Sequence, residues 1–151
     1  MAGSSDIVWE TGLIKLLFNN TTFTLVGDAA GLLKSAGDGS LYVSLHTADP
    51  AGGDQTTSEA AYTDYARVAV SRASAGTGWT CAANAVENTA AVVFPVGTGG
   101  GEHVTHFAIG CVALASGAGK LLYTGEVTPH LDTGIGVIPT FAIGAIDISQ
   151  T

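Results

Sequence analysis

The sequence predicts a mainly β chain: an antiparallel β-sandwich or jelly roll of about eight strands, with a short N-terminal helix. Three observations carry that expectation. From Leu41 onward the hydrophobic pattern has a period of two, with Leu41, Val43 and Leu45 on one side and Tyr42, Ser44 and His46 on the other. Gly-, Pro- and Asp-rich turn signals recur between short apolar runs, as at residues 48–53, 97–101 and 132–136. Helical periodicity is concentrated near the N-terminus, so the pattern does not read as alternating βαβ units.

The elements follow in order. Asp6 is placed to cap a helix that continues through Trp9 and Glu10, with Leu13, Ile14, Leu16, Leu17 and Phe18 as its apolar face and Asn19-Asn20 as its stop. Gly12 inside it costs roughly 1 kcal/mol relative to alanine. Residues 22–26 read as a short strand, 29–34 as a second helical turn and 37–39 as a turn. Beyond the strand that starts at Leu41, residues 57–60 read as one turn of helix. Further strands are expected over 65–71, from Trp79 to Cys81, through Val86, Val92 and Phe94, over 104–112, over 120–127 and within 137–148. Turns are expected at 74–78 and 116–119, and Pro129 is expected to end the 120–127 strand. The stretch from His106 to Gly110 is echoed from Thr140 to Gly144, which suggests equivalent strand ends in the core. At 151 residues the chain reads as one domain, with 1–40 a helical and extended segment and 41–151 the β core.

Composition narrows the function. Only 12% of residues are charged, against a typical ~25%. Such a surface suits a protein covered by copies of itself or by partners. The net charge is −8, and Lys15, Lys34, Arg67, Arg72 and Lys120 are scattered. No basic stripe can be drawn, so no nucleic-acid partner is expected. No uncharged apolar run reaches ~18 residues, so no membrane partner is expected. The N-terminus lacks the positive start of a secretory signal, which points to synthesis in a cytoplasm. Cys81 and Cys111 form no CxxC pair and read as buried, reduced thiols.

Motifs with reactive chemistry fail on spacing. His103 and His106 beside Glu102 are three apart on a strand, so their imidazoles face opposite sides and do not share a metal. His46 and His130 read as structural. Gly117-Ala-Gly-Lys120 lacks both the earlier glycine and the following Ser or Thr of a phosphate loop. Residues 97–101 precede no helix that would complete a dinucleotide site. There is no Gly-x-Ser-x-Gly elbow, and both cysteines lie in apolar contexts that raise a thiol pKa. Glu102, Glu126 and Asp132 are the carboxylates with any scope to converge. Neither an enzyme nor a cofactor or metal is expected. Tyr62, Tyr65, Trp79 and Tyr123 are the aromatic candidates for a carbohydrate platform.

Several runs carry a family resemblance: Leu41 to Pro50, Gly52 to Thr56, Glu59 to Tyr62, Tyr65 to Val70, Val104 to Gly110, Gly119 to Tyr123 and Pro139 to Phe141. The chain resembles a family of small β-rich virion proteins of tailed bacteriophages, with residues 22–38 departing from its shorter members. Members are labelled tail-fibre-like, and proteins of this size and character also serve as capsid cement or decoration proteins. The resemblance implies a virion part without catalytic residues. The leading expectation is a cement protein on the outer surface of the capsid shell, made in the bacterial host cytoplasm. It would bridge subunits of the major capsid protein and self-associate as a dimer or trimer. Its candidate partner contacts are Trp9, Leu13, Leu17, Asp49, Pro50 and Gln55. The alternative is a tail-fibre or baseplate-associated module that binds host-surface glycans.

Overall fold

Nine strands, one α-helix and one 3-10 turn make up the regular structure of the computed structural model, which describes residues 7–73 and 77–150. The chain is mainly β, and its sheets are antiparallel. Residue contacts divide it into two compact units. One draws on Met1–Ser40, Ser71–Ala91 and Ala142–Thr151, and the other on Leu41–Val70 and Val92–Phe141. The N-terminal segment thus shares a unit with two later stretches of chain.

In the first unit, helix α1 (Ile7–Phe18) packs on strands β3 (Trp79–Ala82) and β4 (Ala85–Asn88). Ile14 and Phe18, four residues apart and so on one helix face, are fully buried with Trp79, Val86 and Ile146. Phe18 meets Trp79 edge-on, with ring centroids 5.1 Å apart. Strand β9 (Asp147–Ser149) completes the sheet in the order β3-β4-β9. The helix ends where the sequence places its stop. Asn20 takes a left-handed φ of 46°, and Arg72 donates to the terminal carbonyls of Leu16 and Leu17. The Asp6 cap lies outside the described residues, as do residues 74–76 of the expected 74–78 turn.

Gly12 has a reason to interrupt this helix. A Cβ there would lie 2.6 Å from the Phe23 ring, which rests on the helix at that point. Residues 22–34 form neither the expected strand nor the expected helical turn. A single antiparallel bridge, Phe23 to Leu32, closes a loop that Asp28 turns by accepting from the Ala30 and Gly31 amides. Asp28 and the two glycines flanking it favour turns over either regular structure.

The second unit holds a four-stranded sheet in the order β2-β1-β6-β7, formed by β2 (Val68–Ser71), β1 (Ser40–His46), β6 (His103–Gly110) and β7 (Leu121–Asp132). Two short strands, β5 (Val92–Val93) and β8 (Thr140–Phe141), pair separately. Leu41, Val43, Leu45, Phe94, Val104 and Ile109 form the apolar core. Both faces of β1 are covered near its end, since Ser44 and His46 are as buried as Val43 and Leu45. The segment that covers the second face bonds to β1 through Thr47 N to Ser58 O and Ala60 N to Leu45 O. Residues 57–60 are therefore a bridged turn and not helix.

Two further expectations are corrected. Pro129 does not end β7. This outer strand carries a bulge, with Val104 opposite Leu131 and His106 opposite Glu126, so that residues 127–130 stand against Thr105 alone. Proline is tolerated there because a bulge on an outer strand asks for no ladder donor. The echo of residues 106–110 in 140–144 marks no structural equivalence. Ile109 is fully buried, whereas Ile143 is 70% exposed in a turn closed by Ala145 N to Ala142 O.

Candidate functional site

Three places in the molecule concentrate chemistry. The first is a buried polar network in the second unit. The Arg67 guanidinium meets both oxygens of Glu59 at 2.7 Å and donates to the carbonyls of Val112, Ala113 and Gly117. Glu59 also accepts from the Tyr65 hydroxyl, which in turn accepts from the Leu45 amide. These bonds to Glu59 raise the pKa of Arg67, and burial raises that of Tyr65. Ser44 Oγ lies 2.8 Å from His46 Nε2, and His46 Nδ1 lies 2.9 Å from the Thr57 carbonyl. Such a Ser–His pair has the composition of a nucleophile and its base, yet both residues are completely buried. Burial lowers the His46 pKa and holds the ring neutral. This network ties residues 54–67 to residues 111–119.

Gln55 belongs to the same network, which corrects its reading as a partner contact. Its carbonyl oxygen accepts from the Cys111 and Val112 amides at 3.0 Å, its amide nitrogen donates to the Val112 carbonyl, and the side chain has no exposure. Gly110 and Gly119 make room for it, since a Cβ on either would lie 2.0 or 2.4 Å from its side-chain atoms. The Gly117–Lys120 run thus supplies backbone to Gln55 and Arg67; Gln55 N donates to Ala118 O. Pro50 is likewise buried, while Asp49 is exposed and turns its own loop by accepting from the Ala51 amide.

The second place is an exposed line of four side chains on β6 and β7. His103 Nδ1 is 2.6 Å from Asp132 Oδ1, His103 Nε2 is 3.2 Å from His130 Nδ1, and His130 Nε2 is 3.3 Å from Glu126 Oε1. Of the three carboxylates singled out from the sequence, two converge here. Glu102 turns away to accept from the Ala61 amide at 2.6 Å. His106, as expected, does not join His103, and its Nδ1 contacts Thr105 Oγ1. Among the described residues no group of three or more His, Cys, Asp or Glu is arranged to hold a metal. The sequence hid this line because the bulge at 127–130 sets where His130 falls relative to His103.

The third place is an open groove of about 770 Å³ in the first unit, between α1 and residues 21–27. Trp9 and Phe23 wall it with ring centroids 5.5 Å apart, and Lys15, Thr11, Thr22 and Thr24 supply polar groups. Trp9 is 42% exposed. Leu13 and Leu17, the other helix contacts read from the sequence, are half-buried. None of the aromatic candidates for a carbohydrate platform is an exposed side chain. Trp79 is in the core, Tyr62 and Tyr65 are buried, and Tyr123 is half-buried. Both thiols are free. Burial pushes Cys81 up to about 11, whereas Cys111, expected in the interior, is exposed and accepts from the Lys120 amide.

Residues 4–149 match the protein-family model described as Podophage GP4 fiber I protein gp80. No curated protein matches the chain.

Proposed function

The chain belongs to the podophage GP4 fiber I protein gp80 family, and from that premise we propose that it is built into a fibre of the phage particle and not into cement on the capsid shell. A structural virion protein is common ground between the two readings. The match over residues 4–149 carries the choice, since it spans both compact units. The chain acts by assembly and contact, without catalysis or cofactor. Its protein partners are neighbouring virion subunits, including copies of itself. Its outward contact is with host-surface glycans.

The groove walled by Trp9 and Phe23 is the surface suited to that contact. Aromatic faces give a sugar ring an apolar platform, and the flanking threonines give its hydroxyls hydrogen-bond partners. The test uses phage particles separated into heads and tails. The protein is expected to follow the tails, and its retention on tail-free heads in hundreds of copies would restore the cement reading. In assembled particles Trp9→Ala is expected to slow adsorption at least about tenfold, the weight of one aromatic anchor. Unchanged adsorption would remove glycan binding from this groove.

A further inference from the structure

We propose that Asp132, His103, His130 and Glu126 form a proton-counting clamp that orders the β7 bulge when the two imidazoles share one added proton. Three contacts join the four side chains in line. An ionised carboxylate only accepts, so each contact needs one imidazole N–H. Two neutral imidazoles bring two such hydrogens, which leaves one contact unmade. One added proton brings the third. His103 Nδ1 then donates to Asp132 and His130 Nε2 to Glu126, while the third hydrogen lies between the rings, on His103 Nε2 or on His130 Nδ1, with the facing nitrogen bare. A second added proton sets an N–H of His130 against an N–H of His103 and breaks the middle contact. The line is complete at one proton and broken on either side of it.

Placement makes this count matter to the backbone. Glu126 and His130 stand at the start and the end of the excursion that faces Thr105. Their contact closes the bulge on itself, and the His130–His103 contact fastens its exit to β6. Glu102 is engaged at Ala61, and His106, the register partner of Glu126, is engaged at Thr105. Among the described residues no Lys or Arg forms an ion pair with any of the four. The bulge therefore tightens when the pair gains one proton and loosens when it loses it. This inference stands apart from the fibre reading.

The experiment uses the full chain, labelled with nitrogen-15. NMR of the ring nitrogens across pH 5 to 8 is expected to show, at one added proton, His103 Nδ1 and His130 Nε2 both protonated and a single hydrogen shared between His103 Nε2 and His130 Nδ1. Amide exchange at Val127, Thr128, His130 and Leu131, corrected for the intrinsic pH effect, is expected to pass through a maximum of protection about two- to fivefold above its value at pH 8, the scale of an exposed charged contact. His103→Gln and His130→Gln, at exposed positions that leave the fold intact, should each flatten that maximum. Two rings that titrate independently, or the same protection profile in both variants, would overturn the proposal.

Discussion

Replacing Glu59 by glutamine keeps the side chain's shape and removes the charge opposite Arg67. The Arg67 side chain has no exposure and that of Glu59 only 6%. Removing one partner of a buried pair typically costs about 3–5 kcal/mol, because the remaining charge has lost its counter-ion without regaining water. Arg67 keeps three carbonyl acceptors in this variant, and the glutamine oxygen still receives Nε. The cost should therefore lie near the low end, about 3 kcal/mol. Arg67→Met leaves a buried carboxylate and three carbonyls without their donor, which puts it near about 5 kcal/mol. For a chain of this length each kcal/mol is worth about 2–4 °C, so Glu59→Gln should melt about 6–12 °C below the parent. Denaturant unfolding of the parent, both single variants and the double variant closes a cycle. The double variant should cost at least about 2 kcal/mol less than the two singles together. A coupling near zero, or a Glu59→Gln cost below about 1 kcal/mol, would refute the claim that this pair fastens the two loops.

Two more outcomes follow from the same region. Gly110→Ala drives a Cβ into Gln55, whose side chain is fixed by two amides, and should cost at least about 2 kcal/mol; thermal unfolding in which Gln55→Ala rescues none of that loss would contradict the steric account. His46 is held below its ordinary 6.5 by burial, so the unfolded chain takes up its proton first as pH falls. Its contribution to stability is complete above 6.5 and is lost as the pH drops from there toward the folded value. Unfolding free energies at pH 7.5 and 5.5 should differ more in the parent than in His46→Gln, and equal differences would exclude His46 as the cause.

The parts of the fold legible in the sequence are those where local pattern and burial agree. The Leu41 strand, the helix stop at Asn19-Asn20 and the Trp79 strand stand where periodicity and turn residues put them. What was hidden depends on long-range contact. Pro129 reads as a strand breaker until its place in a bulge on an outer strand is known. Ser44 and His46 alternate like a solvent face, yet residues 54–60 fold over them. Gln55 looks like a polar loop residue because nothing local shows that Gly110 and Gly119 leave it a socket. Of the contact candidates, Trp9 and Asp49 are exposed as a surface role requires, whereas Pro50 and Gln55 are internal. The His103–His130 line was out of reach for the same reason as the bulge that aligns it.

The Gln55 socket bears on inheritance as well as on stability. Positions 55, 110 and 119 lie on three separate stretches of chain but fill one volume. A side chain gained at Gly110 has to be matched by a shorter residue at 55, whereas one at Gly119 also meets Val112 and a left-handed φ of 60°. Substitutions at 55 and 110 should therefore travel together among members of the family. A hybrid that exchanges the 48–58 loop between relatives has to carry its own residues 110 and 119 with it.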